Sequence, residues 1–213
     1  MSKPVEKVQT KKEEFYNTFS HAIAIPFGIY ALQYLWRNNT EEYFASYLGI
    51  LLYGISFILL FSASSLYHII TKPSLKKKFR VLDHISIYYL IAGTYSPVVL
   101  VVLKESKAWL LFSIVWGIAL AGTLLKLFFT GRFEKLSLAL YLIMGWLIVL
   151  DFSNLIENAS ILTLTYLGIG GFFYTVGAYF YANNKISFNH VIWHIFVFVA
   201  AIFHFLMVAE VVT

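Results

Sequence analysis

The sequence predicts an all-α membrane protein: a seven-transmembrane helical bundle with its N-terminus cytoplasmic and its C-terminus outside. Three observations carry this. The chain of 213 residues is 60% hydrophobic and 13% charged, too apolar for a soluble domain of that length. Its apolar residues gather into seven stretches of the roughly 20 residues that a helix needs to cross a bilayer. Lys and Arg are shared unevenly between the two sides that seven spans define, and that bias sets orientation. Helices are the expected form because open strands cannot satisfy their backbone in lipid.

The elements follow in order. Residues 1–14 are charged and polar, with no short apolar run ahead of a small-residue cleavage site, so they read as a cytoplasmic tail and not as a signal peptide. Residues 15–213 read as one membrane domain. Its spans are predicted at 15–36, 43–70, 82–103, 108–129, 136 to about 156, 161–181 and 188–212. The connections hold turn-formers and charges, as in Arg37-Asn38-Asn39, Lys72-Pro73-Ser74, Thr130-Gly131-Arg132 and Asn183-Asn184-Lys185. Thirteen of the sixteen Lys and Arg fall on the side of the N-terminus, five of them (Lys72, Lys76, Lys77, Lys78 and Arg80) in the connection between spans two and three. Only Arg37, Lys104 and Lys107 fall on the other. Pro26 and Pro97 lie inside spans and predict kinks.

Composition also excludes. Without cysteine there is no disulfide and no thiolate metal site. A transition metal must be held by His, Asp or Glu. The net charge of +5 follows membrane topology and does not read as a nucleic-acid footprint.

The few ionisable residues within the spans gather toward the cytoplasmic face. Such groups are costly in a bilayer and mark function by default. His190 and His194, in HVIWH, share a helical face about 6 Å apart. The spacing suits two imidazoles on one metal, and equally two interfacial anchors. Ser64 and His68, in SASSLYH, also share a face, which reads as a hydroxyl–imidazole pair or as a packing serine with a membrane-edge histidine. Asp83 opens the third predicted span. It reads as a helix N-terminal cap favoured by the dipole, or as the first member of a bundle-facing stripe with Ser86, Gly93, Thr94 and Pro97. Glu14, Asn17 and His21 share one face of the first span and read as a supporting, hydrogen-bonding cluster. His84 points away from Asp83 toward the loop, and His204, about 15 Å deeper than His194, reads as a core histidine. Taken together, His68, Asp83, His190 and His194 fall within roughly 10 Å of one interface at 1.5 Å per residue. Three imidazoles with one open position is the pattern of catalytic zinc.

These residues carry a resemblance. The chain resembles the hemolysin III family, the bacterial branch of the progestin and adipoQ receptor (PAQR) family, over essentially its whole length. The carriers are E-x-x-N-x-x-x-H at Glu14, Asn17 and His21, S-x-x-x-H at Ser64 and His68, Asp83, and H-x-x-x-H at His190 and His194, with AGTYSP at 92–97 and MGW at 144–146. The resemblance implies Zn2+ bound by His68, His190 and His194, Asp83 as partner of the metal-bound water, Ser64 as a supporting group, and a multi-pass protein of the plasma (inner) membrane. Eukaryotic relatives with this site are associated with ceramide hydrolysis, and the bacterial branch with membrane lipid homeostasis.

The leading expectation is therefore a metal-dependent hydrolase of a lipid amide, ceramidase-like, with Asp83 and Ser64 as catalytic residues and a membrane lipid as substrate or ligand. The alternatives are a non-enzymatic membrane regulator or sensor with a structural zinc, which direct ligation by Asp83 would favour, and a cytolysin, as the family name suggests.

Overall fold

The computed structural model describes residues 9–131 and 133–213. Lys3 and Lys7 of the tail, and Arg132, lie outside the described residues. Every regular element among those described is helical: α1 (Lys11–Ala22), α2 (Ala24–Asn38), α3 (Phe44–Ile69), α4 (Pro73–Val101), α5 (Ala108–Phe129), α6 (Glu134–Trp146), a 3-10 turn (Leu147–Asp151), α7 (Phe152–Asn158), α8 (Ile161–Ala182) and α9 (Asn189–Val212). Six helical segments among the described residues are long and apolar enough to cross a membrane, counting Glu134–Asn158 as one. The protein is a multi-pass membrane protein.

The first predicted span is two shorter helices. Thr10 and Glu13 form a reciprocal capping box at the start of α1, which satisfies two of the donors a helix start leaves open. The helix then breaks at Ile23. Pro26 has no N–H to give the carbonyl of residue 22 and its ring crowds that carbonyl, so the kink expected at this proline falls one turn ahead of it. The second proline behaves differently. α4 runs through Pro97 to Val101, and Pro97 packs on Gly49 of α3, where an added Cβ would lie 2.8 Å from its Cα.

α4 also starts earlier than predicted. Pro73 occupies its first turn, where the missing N–H costs nothing, and the Leu, Lys and Arg that follow are good helix formers. The basic residues from Lys76 to Arg80 therefore lie on the first turns of α4, and only Lys72 remains in the connection. Asp83 is consequently deep in α4 and is no N-terminal cap.

The fifth predicted span is interrupted by the 3-10 turn. Its cause is a side chain in the backbone ladder: Tyr95 Oη of α4 donates to the Gly145 carbonyl and accepts from Ile148 N–H, both at 2.8 Å. α4 is the centre of the bundle, packed against α3, α5 and α9, while α5, α6–α7 and α8 turn most of their surface outward. This arrangement sets the polar faces of α1, α3, α4 and α9 toward one another.

Candidate metal centre

His68 is in the last turn of α3, and His190 and His194 are in the first two turns of α9. α9 begins where it does because Phe188 adopts φ 56°, a left-handed conformation uncommon for a bulky side chain, which turns the chain just before the HVIWH segment. One nitrogen from each of His68, His190 and His194 lies within 4.8 Å of the other two. The rings of His190 and His194 are 5.1 and 5.0 Å from that of His68 and 4.6 Å from each other.

Hydrogen bonds on the far side of two rings fix which nitrogen faces the cluster. His68 Nδ1 lies 2.6 Å from Glu14 Oε2. His194 Nδ1 lies 3.2 Å from the Asn17 carbonyl. Both partners can only accept, so Nδ1 carries the proton in each ring and Nε2 is left with its lone pair. His68 Nε2 and His190 Nε2 are buried without a hydrogen-bond partner. Buried polar atoms are nearly always paired. Two such unpartnered nitrogens beside a third imidazole are what a divalent metal ion satisfies. The residues fit zinc: three nitrogen ligands, no sulfur, and further positions open.

The other sequence-predicted residues come to the same place. Asp83 and Ser64 are buried and line one cavity together with His21, His190 and His194. Ser64 approaches the Asp83 carboxyl, yet its hydroxyl forms no full hydrogen bond. His21 stacks on His194 at 3.6 Å, nearly parallel, and neither of its ring nitrogens has a partner. Glu14 is not the capping residue of α1, a role Glu13 takes. Asn17 acts through its backbone carbonyl, while its side-chain nitrogen donates to Gln9.

The cavity has a volume of about 460 Å³, within the range of small-molecule sites. Beyond its polar end the walls are apolar, among them Leu90, Val98, Leu142, Leu164, Val197 and Met207. His204, expected in the core, is buried and lines this apolar part.

Two groups near the site escaped the sequence reading. Lys76 Nζ is 2.9 Å from Glu14 Oε1. Glu134 gathers Lys126 at 2.7 Å and Arg80 and His84 at 3.5 Å, so His84 is buried against the start of α6 and does not face a loop. Both groups rest on basic residues whose position reads equally well as membrane orientation. Glu134 at the head of the fifth span was the available signal for the second.

A family described as haemolysin-III related matches residues 9–205. Hemolysin-3 of Bacillus cereus is 41% identical over 196 residues, covering 92% of this chain and 90% of that protein. The Hemolysin-3 homolog of Bacillus subtilis (strain 168) is 40% identical over 190 residues, covering 88% and 89%. The human monocyte to macrophage differentiation factor is 28% identical over 199 residues, covering 89% and 80%, and it extends the similarity to the wider progestin and adipoQ receptor group.

Proposed function

The chain belongs to the haemolysin-III-related family, and we propose that it is a zinc-dependent hydrolase of a lipid amide in the plasma membrane, acting in membrane lipid homeostasis. The observation that carries this is the convergence of three imidazoles within 4.8 Å, two of which, His190 and His194, line the polar end of an otherwise apolar cavity. A metal centre there meets a lipid at headgroup depth, with the acyl chain against the apolar walls.

When bound, zinc polarises the scissile carbonyl and lowers the pKa of water to about 7. His68, His190 and His194 hold it. Asp83, buried in the same cavity, accepts the proton of the attacking water and returns it to the leaving nitrogen. A C–O bond forms, the C–N bond breaks, and the products are a fatty acid and an amine. Ser64 donates its unengaged hydroxyl to the oxygen on which charge develops, a role that preorganised donors perform best in a site closed to water.

In this reading α1 and α2 together make a seventh span, so the N-terminus lies in the cytoplasm and the C-terminus outside. The pair runs from Lys11 to Asn38, about 40 Å at 1.5 Å per residue, and most Lys and Arg fall on the N-terminal side. A second reading is a non-enzymatic regulator with a structural zinc. Asp83 is buried and lines the same cavity as His190 and His194, and direct ligation by it would favour this reading, since a fourth firm ligand closes the site. The name of the Bacillus cereus relative, Hemolysin-3, adds lysis as a third outcome to be assayed.

The test is release of fatty acid from a ceramide-type lipid by the purified protein in lipid nanodiscs. Hydrolysis is expected in the parent, lost with a chelator and restored by zinc. Asp83→Asn is expected to keep the metal and lose turnover by about 10²–10⁴-fold. Zinc-loaded protein that hydrolyses none of a panel of lipid amides and esters contradicts the hydrolase reading, and lysis of erythrocytes by that same protein supports the cytolysin.

A further inference from the structure

We infer that Glu14 and Lys76 form a positioning chain that holds His68 in its ligating orientation and sets how tightly the centre binds its ion. The inference rests on the zinc reading above. It adds a second residue beyond the centre, drawn from the part of α4 that the sequence assigns to a connection.

The chain is continuous. Glu14 uses one carboxylate oxygen on each neighbour: Oε2 is 2.6 Å from His68 Nδ1, and Oε1 is 2.9 Å from Lys76 Nζ. The His68 side chain is fully buried, whereas Glu14 and Lys76 are about one quarter exposed, 24% and 27%. Lys76 Nζ also donates to the carbonyls of Tyr67 at 3.0 Å and His68 at 3.4 Å, and it lies 4.8 Å from the centre of the Tyr67 ring. One ammonium thus gathers the end of α3, which carries the ligand, and the carboxylate on α1 that orients the ligand's ring. A cation at a helix C-terminus is itself favourable, so Lys76 has little freedom to leave.

The chemistry of the arrangement is specific. A carboxylate accepting from Nδ1–H fixes the tautomer, directs Nε2 outward and raises the basicity of the ring as a ligand. The corresponding partner of His194 is a neutral carbonyl, that of Asn17. His68 is therefore the ligand whose donor strength depends on a charge. The competing account is a simple tether between α1 and α4. Ion pairs this exposed contribute little to stability, whereas loss of a carboxylate behind a ligating histidine weakens metal binding about 10–100-fold. The two accounts predict effects on different quantities.

The experiment uses the purified full chain stripped of metal and titrated with zinc against a competing chelator. Parallel samples loaded with Co2+ are read by their visible d–d absorption, which reports ligand geometry and strength in the bound fraction. Thermal midpoints are recorded throughout. Glu14→Ala is expected to bind zinc about 10–100-fold more weakly with an altered cobalt spectrum. Glu14→Gln, which keeps an acceptor oxygen without the charge, is expected to lose less, about tenfold. Lys76→Met is expected to fall between Glu14→Gln and the parent, and the exposed neighbour Lys77→Met to match the parent. Glu14 variants that change only the thermal midpoint, with zinc affinity and cobalt spectrum unmoved, overturn the inference and leave the zinc reading standing. Lys76→Met indistinguishable from the parent removes Lys76 from the chain. A parent that binds neither ion overturns the zinc reading and the inference with it.

Discussion

Two buried polar clusters near opposite ends of α4, one around Asp151 and one around His68, are satisfied in opposite ways. At one end Asp151, from the 3-10 turn, accepts from Asn154 Nδ2 at 2.7 Å, from Ser106 Oγ at 2.8 Å and from Lys107 N–H at 3.3 Å, with Lys107 Nζ 3.8 Å away. Its carboxylate has a partner from each strand of chain that meets there. At the other end His68 Nε2, His190 Nε2, both nitrogens of His21 and Ser64 Oγ are buried without a full hydrogen bond. Each cluster draws residues from far apart in sequence. The difference teaches which one is architecture: a buried network stabilises when it is complete and is expensive when it is not, so the incomplete cluster is the one shaped for something that binds.

The largest effect that sharpens this contrast is expected at the histidine end. His68→Ala should weaken zinc binding by more than the roughly 100-fold that marks loss of a supporting group. Asp151→Ala should leave metal affinity unchanged and destabilise the protein by about 2 kcal/mol, since it strips a buried set of hydrogen bonds of its acceptor. The first is read by chelator competition and the second by unfolding in detergent. A metal defect in Asp151→Ala, or none in His68→Ala, would erase the distinction between the two ends.

How far this contrast was legible in the sequence differs residue by residue. The proximity of His68, Asp83, His190 and His194 was legible, because alternating spans put all four near one membrane face and helical spacing put each pair on one side. The partner of Glu14 was not. Spacings of three and seven along α1 say which residues share a face and nothing about what that face meets. Six of the seven predicted spans match long apolar helical segments, but the 3-10 turn was not legible, since its cause is the Tyr95 hydroxyl arriving from α4. The early start of α4 was signalled by Pro73, yet the run of lysines after it reads as a connection because charge outweighs propensity in placing a membrane boundary. The break at Ile23 was legible in Pro26 and the tight seat of Pro97 was not, since only packing shows Gly49 beneath it.

That seat gives a smaller test, between packing and chemistry. The contact at Gly49 is with backbone, which cannot swing aside, so Gly49→Val should cost about 1–3 kcal/mol with zinc affinity retained. A variant as stable as the parent would show that α3 and α4 have room to separate. The smallest expected effect lies back at the histidine end. Ser64→Ala in metal-free protein removes a buried hydroxyl that approaches Asp83 without a full hydrogen bond, and is expected to change stability by no more than about 1 kcal/mol. A clear loss of stability there would mean that the hydroxyl is already engaged and that the two ends are more alike than the geometry indicates.

Whether His68, His190 and His194 hold one zinc ion is read most directly from the metal content of protein purified in chelator-free buffer, beside His190→Ala/His194→Ala. About one zinc per chain is expected in the parent and none in the double variant, with the helical fold kept in both. Parent protein without metal, or a double variant that retains it, would contradict the account.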